Sequence, residues 1–287
     1  MFHSYQLSTI HAFLSYHLST ISDQLEQTYW DALAPHHAAI EDNYLDLRSL
    51  RSLLPEVRGR VLLVGAGQGL LVEELQKNGI ACDGIDLNAE MIRLAKERRG
   101  QTTVQADARA LPFADASYET IVYATGVVDF IGDEGVIREM MNEARRVRTP
   151  EGKIFVAFYR MSDASADFLT RLGLLEGDVL SFKDSLEIYR MTPPQTVKWV
   201  AERTRVVYAR ALFMLLRSGM LSTIAEKKAS FRMQKIFRDP KSAELLLATA
   251  PESQPYRDEP AIRGLFGRLA IPIQKLDSTA SCHIAQI

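Results

Sequence analysis

Apolar and polar positions follow two different rhythms along this chain, and the change from one to the other divides it. Short apolar runs recur at Arg60–Val64, Ile80–Ile85, Thr102–Ala106, Tyr118–Tyr123 and Lys153–Phe158. Between them, three-and-four spacing predicts helices at about Gly69–Asn78, Ala89–Arg98 and Gly135–Arg146. Apolar runs that alternate with helices are the pattern of a parallel sheet covered on both faces. After Arg160 the alternation stops, and about a hundred residues read as helices joined by Pro and Gly breaks. It then resumes with a helix at Glu259–Ala270 and two closing strands in "IPIQKLDS" and "SCHIAQI". The expected organisation is therefore a helical cap over 1–59, an α/β domain over 60–160 and 259–287, and a helical insertion over 161–258 that covers the substrate.

The cap has its own pattern. "YQLSTI" at Tyr5–Ile10 recurs as "YHLSTI" at Tyr16–Ile21, a shift of eleven residues or about three helical turns, so both copies face one way. Leu7, Ile10, Leu14, Leu18, Ile21 and Leu25 form a packing face. A further helix is expected over Tyr44–Leu54. His36 and His37 are adjacent, diverge by about 100° on a helix and make a poor metal pair.

Composition narrows the class. With 287 residues, 47% of them hydrophobic, 24% charged and a net charge of -2, the chain reads as an ordinary globular protein without global attraction to nucleic acid. Cys82 and Cys282 have neither zinc-site spacing nor the numbers of a disulfide framework, so a reducing cytoplasm is the expected setting. No basic leader followed by an apolar run, and no apolar stretch of about 18 residues, occurs in the chain.

The chemistry concentrates in "VLLVGAGQGLL", Val61–Leu71, where Gly65, Gly67 and Gly69 follow an apolar strand. Glycines at a strand-to-helix turn let the backbone approach a ligand, and the first helical amides offer donors. A dinucleotide fingerprint would place a small residue at position 70, where Leu70 stands. Asp86 closes the second strand 21 residues after Gly65, where a carboxylate can accept from both ribose hydroxyls. An adenosine ligand fits these features better than a pyrophosphate.

Four segments in order and spacing resemble the class I S-adenosylmethionine-dependent methyltransferases, in their small-molecule, type 11-like branch. They are "LLVGAGQG", "GIDLNAEMIRLAKER", "QADARALPFADASYETIVYATGVVDFI" and "MMNEARRVRTPEGKIFVAFY". The resemblance is close over Val61–Tyr159 and loose over Glu259–Ile287. It implies a Rossmann-like, doubly wound, mostly parallel seven-stranded sheet with an antiparallel last strand. It also implies S-adenosylmethionine as methyl donor, with S-adenosylhomocysteine as product. Gly65, Ala66 and Gly67 would border the amino-acid end of that molecule, and Asp86 its ribose. Leu87 would pack on the adenine, Asp107 and the backbone of Ala108 would reach its polar edge, and Ala124 and Thr125 would flank the sulfonium and methyl. Tyr29, in the aromatic segment "TYWDALAP", would close over the cofactor.

Two positions depart from the family. Leu63 stands where an acidic residue often helps fix the cofactor's ammonium, and Glu151 where a turn glycine is usual. The fourth segment reads "YATGVVDF" and lacks the [D/N/S]-P-P-[Y/F] pattern of nucleic-acid and glutamine methyltransferases, which points to a small-molecule acceptor. Candidates for proton work near the methyl are Tyr29, His36, His37, Asp129, Tyr159 and Asp163, and the sequence does not choose among them. Between Lys198 and Lys241 eleven basic residues face three acids, a local charge of about +8, which suits an amphiphilic or anionic acceptor or peripheral contact with anionic lipid. The expectation is methyl transfer by in-line displacement, in a monomer or homodimer. A non-catalytic cofactor binder and an oligomeric or membrane-peripheral interaction protein on the same fold stay open as alternatives.

Overall fold

The computed structural model describes residues 28–38, 51–221, 224–279 and 282–287. The tandem "YQLSTI"/"YHLSTI" segment and most of the helix expected at Tyr44–Leu54 lie outside the described residues.

Seven strands form one sheet in the order β3-β2-β1-β4-β5-β10-β9. They are β1 (Val61–Val64), β2 (Cys82–Asp86), β3 (Thr103–Gln105), β4 (Tyr118–Tyr123), β5 (Arg148–Tyr159), β9 (Lys275–Ser278) and β10 (Cys282–Gln286). β1 to β5 pair in parallel. The last strand, β10, runs antiparallel to both β5 and β9 and lies between them, so β9 is the sheet edge. The seven-stranded, mostly parallel sheet with an antiparallel last strand is thus as expected from the sequence.

The period of two along β1 sets the two faces. Leu62 and Val64 join one buried cluster with Tyr123, Ile137, Met140 and Phe266, while Val61 and Leu63 join the other with Val72, Leu75, Val122 and Ile284. The helices that cover them repeat apolar residues every three or four positions. In α2 (Leu70–Lys77) these are Leu71, Val72 and Leu75, and in α4 (Glu134–Val147) Ile137, Met140, Met141 and Ala144. Between them, α3 (Ala89–Arg99) starts at Asn88, whose side chain accepts from the amide of Met91.

A helix α1 at 28–38 lies against the C-terminal end of the sheet. Polar ties fix it there. Gln68, fully buried in the glycine loop, donates through Nε2 to the carbonyl of Ala34 at 2.7 Å, and Asn88 Nδ2 donates to Asp31 Oδ1 at 2.6 Å. The guanidinium of Arg98 donates to Gln68 Oε1 at 2.8 Å.

Residues 161–258 carry most of the remaining helices, and they also hold a strand element absent from the sequence expectation. β6 (Leu175–Glu176), β7 (Val179–Leu180) and β8 (Gln254–Pro255) form a second, antiparallel sheet. Two-residue strands leave too short a pattern for a period of two to show. Side chains of this region, among them Leu186, Phe237, Leu246 and Leu247, pack against Tyr29, Ala32 and Leu33 of α1. The insertion therefore braces α1 from the side away from the glycine loop. No helix among the described residues is long and apolar enough to cross a membrane.

Candidate functional site

The glycine loop begins where β1 ends. Gly65 and Gly67 take positive φ values of 76° and 51°, conformations that favour glycine. A methyl group placed on Gly65 would lie 2.1 Å from Cγ2 of Val127, so that position admits no side chain without rearrangement. The loop is locked to the end of β2: Gly67 N donates to Asp86 Oδ2 at 2.8 Å, and Asn88 N to Asp86 Oδ1 at 2.9 Å. Burial pushes the Asp86 carboxyl above its ordinary pKa, and the amides of Asn88, Gly67 and Leu87 oppose that shift. Each carboxylate oxygen keeps a lone pair beyond the amide it accepts.

One cavity extends from this loop across the ends of β1, β2 and β4. Gly65, Ala66, Gly67, Asp86, Leu87, Asp107, Ala108, Ala124 and Thr125 all line it. Leu87 is 48% exposed, an apolar side chain uncovered on the cavity wall, as suits a place where a planar ring can lie. At the same end Arg109 folds back on Asp107, with Nε 2.9 Å and an Nη 2.6 Å from Oδ2. Partial burial works to raise the Asp107 carboxyl, and Arg109, by side chain and backbone, holds it below the usual carboxylate range. At the other end Thr125 Oγ1 is buried without a hydrogen-bond partner among the described residues. A buried hydroxyl left unpaired is costly, which fits a ligand polar group at that end.

Tyr29, expected from the sequence to close over the cofactor, is not among the residues that line the cavity. Its ring is 3% exposed and packs edge-on against Trp30 and Phe182 and tilted against Phe130. The cavity wall from α1 is made instead by Trp30 and His37, seven residues apart and so on one helical face. The seven-residue spacing is local, whereas the packing of Tyr29, Ala32 and Leu33 against the insertion is a contact between distant segments. Asn88, Met91, Arg109 and Gly126 are further lining residues outside the sequence-derived set.

The candidates for proton work separate. Asp129 does not line the cavity; its carboxylate accepts from Gly126 N at 2.7 Å and Tyr159 N at 2.9 Å and ties the loop after β4 to the end of β5. Burial pushes the Asp129 carboxyl up to about 7. The Arg257 guanidinium donates to the carbonyls of Val128, Asp129 and Ile131 and closes the same loop from the C-terminal part of the chain. His37 lines the cavity, and burial, followed by the charges of Arg98 and Arg99, lowers its pKa to about 4. Asp163 opens the helix Asp163–Arg171, and neither it, His36 nor Tyr159 lines the cavity. Among the described residues, none of 161–258 lines it.

Leu63 is wholly buried in the apolar cluster between the sheet and α2. A carboxylate there would sit among Val72, Leu75 and Val122, so the substitution removes a charge that this packing could not solvate.

The Methyltransf_11 family model, a methyltransferase domain, matches residues 62–156. Demethylmenaquinone methyltransferase of Corynebacterium urealyticum is 33% identical over 98 residues, 34% of this chain and 40% of that protein. Ubiquinone biosynthesis O-methyltransferase of Xanthomonas oryzae pv. oryzae is 26% identical over 160 residues, 52% of this chain and 66% of that protein. The solved PH0226 protein from Pyrococcus horikoshii OT3 superposes on 84% of this chain and 90% of its own with a TM-score of 0.47 at 15% identity. The chain thus spans 40% to 66% of the length of these two curated relatives.

Proposed function

We propose that the α/β core of this chain is a class I methyltransferase domain of the type 11 branch and that the chain transfers a methyl group from S-adenosylmethionine to a small-molecule acceptor. The observation that carries this reading is the junction of Gly67 with Asp86, which joins the glycine loop to a half-buried carboxylate inside one cavity. S-adenosylmethionine would supply the methyl group, activated by the positive sulfur that leaves with the electron pair.

The chain's own part is to hold and exclude. Asp86 would take the ribose hydroxyls on its remaining lone pairs, and Leu87 would cover the adenine. The polar edge of that ring would meet the Ala108 backbone and whatever accepting capacity Arg109 leaves on Asp107. Gly65, Ala66 and Gly67 would border the amino-acid end, and Ala124 and Thr125 the methyl end. α1 closes this space from above and keeps water from the reacting atoms. The demand on the protein is then chiefly orientation, since a methyl on a sulfonium is already a good electrophile.

The acceptor follows from what lines the cavity. Among the described residues, the lining side chains that can take a proton are Asp86, Asp107 and His37. Both carboxylates are engaged, and His37 is a weak base at a pKa of about 4. An acceptor that brings its own nucleophilic atom, such as a phenol, an enol or an electron-rich aromatic carbon, suits such a site best. Trp30, on the wall beside Gly126, favours a planar ring. The two curated relatives are named for steps on quinones, whose reduced rings belong to this chemical class. An amphiphilic acceptor would agree with the basic residues of the insertion, although these lie outside the cavity wall.

The test is to incubate the protein with S-adenosylmethionine and a panel of hydroquinones, catechols and enols, and to read S-adenosylhomocysteine together with the methylated acceptor. Turnover on at least one phenolic or enolic member supports the proposal. Cofactor binding without turnover on any member favours the non-catalytic alternative.

A further inference from the structure

Leu63 stands where the family resemblance puts an acidic residue and its side chain lies in the apolar cluster behind the sheet, so an acceptor for the amino-acid end of the proposed cofactor has to come from the cavity wall, where one side chain faces that end from another element. A methyl group placed on Gly67 would lie 3.3 Å from Cε1 of His37 and 3.9 Å from each of its ring nitrogens. The imidazole thus lies over the glycine that borders the amino-acid end, and both residues line the same cavity.

The ring is held in place. Trp30 packs against it edge-on, with ring centroids 6.4 Å apart. Its helix is tied to the loop by Gln68, the residue that follows Gly67, through the 2.7 Å bond to Ala34. Arg98 joins the same knot, with one Nη 2.8 Å from Gln68 Oε1 and the other 3.5 Å from the carbonyl of Pro35. The helix that carries His37 is therefore tied to the loop it faces.

Its chemistry suits the task. Burial and the charges of Arg98 and Arg99 keep the imidazole unprotonated at neutral pH. A neutral imidazole carries one N–H donor and one lone-pair nitrogen, so it can accept from an ammonium group. The amino-acid end of the ligand is a zwitterion without net charge, which limits its repulsion by Arg98 and Arg99.

We propose that His37 recognises the amino-acid end of the methyl donor, with its ring accepting a hydrogen bond from the α-ammonium group. The proposal rests on the S-adenosylmethionine reading of the cavity. It assigns His37 to cofactor recognition, not to proton transfer.

The test compares S-adenosylhomocysteine with its desamino analogue, which lacks only the ammonium, by calorimetry at pH 7.5. The wild-type protein should bind S-adenosylhomocysteine about tenfold more tightly, the factor for a loss of about 1.4 kcal/mol. His37→Leu should reduce that preference to near one by weakening S-adenosylhomocysteine alone, and His37→Gln, which keeps an acceptor, should restore part of it. A wild-type preference that survives in His37→Leu, or an equal loss for both ligands, overturns the proposal. The wild-type protein gives a second readout if His37→Leu does not fold. With 15N-histidine, one His37 ring nitrogen should shift on addition of S-adenosylhomocysteine and not of the desamino analogue; identical shifts with both ligands overturn it. Binding of neither ligand by the wild-type protein would overturn the cofactor reading itself, whereas equal binding of both would overturn only the role of His37.

Discussion

The side-chain amide of Gln68, in the middle of the glycine loop, donates to the main-chain carbonyl of Ala34 in α1 at 2.7 Å. Together with the bond from Asn88 to Asp31, it joins the floor of the cavity to its roof. It explains why a fully buried glutamine stands between Gly67 and Gly69.

Replacing that glutamine should loosen the roof before it unfolds the domain. Gln68→Ala leaves the Ala34 carbonyl and the Arg98 guanidinium without this partner, a cost of about 1–3 kcal/mol for a buried polar group. Hydrogen exchange of the amides of 31–38 should speed up by at least tenfold, while those of β1 and β4 stay protected. Equal acceleration in both would show that α1 does not depend on this contact.

Gly65 should tolerate no side chain. Gly65→Ala places a methyl 2.1 Å from Val127 Cγ2 at a φ of 76°, so the loop must move. The affinity for S-adenosylhomocysteine should fall by at least tenfold, or about 1.4 kcal/mol. Adding Val127→Ala removes the clash but not the backbone strain, and it should recover only part of the loss. Unchanged affinity in Gly65→Ala, measured by calorimetry, would mean that the loop does not border the ligand.

Asp129 should give stability a pH dependence. Its folded-state value of about 7 lies above the ordinary carboxylate value, so between about pH 4 and 7 the folded protein keeps a proton that the unfolded chain releases. This contribution is fully present below about pH 4 and is lost as pH rises through 7. Asp129→Asn cannot ionise, and it also gives up one of the acceptors for Gly126 N and Tyr159 N, at about 1–3 kcal/mol. In urea melts from pH 4.5 to 8 the variant should therefore be most inferior to wild type at the acidic end, with the gap narrowing as pH rises. A constant gap would assign Asp129 an ordinary pKa.

Trp30 and Tyr29, neighbours in sequence, should behave differently. Trp30→Leu removes an aromatic wall of the cavity and should raise the KM of a ring-shaped acceptor several-fold. Tyr29→Phe keeps the ring packing with Phe130 and Phe182 and should leave KM and cofactor affinity within twofold. The opposite ranking in steady-state kinetics would restore Tyr29 to the site.

These contrasts also show what the sequence could carry. Strands buried on both faces announced themselves through apolar runs such as Tyr118–Tyr123, and the loop and Asp86 through a fixed offset from β1. Nine of the ten residues assigned to the cofactor line one cavity because they lie at strand ends whose order the sheet topology dictates. Tyr29 faces away from that cavity because the choice between helix faces depends on what packs behind α1, namely Leu186, Phe237 and Leu246, and no local pattern encodes that contact. The short sheet β6-β7-β8 and the reach of Arg257 to the carbonyls of 128, 129 and 131 were invisible for the same reason, since both join segments far apart in sequence.

The central claim is that the Gly67–Asp86 junction builds an adenosine site for a methyl donor. Titration of the protein with S-adenosylmethionine in a calorimeter, beside NAD and Asp86→Ala, tests it most directly. S-adenosylmethionine should bind saturably at one site in the micromolar range, NAD should show no comparable binding, and Asp86→Ala should lose at least tenfold in affinity, about 1.4 kcal/mol. The absence of S-adenosylmethionine binding at millimolar concentration by a folded protein, or binding indifferent to Asp86, would contradict it.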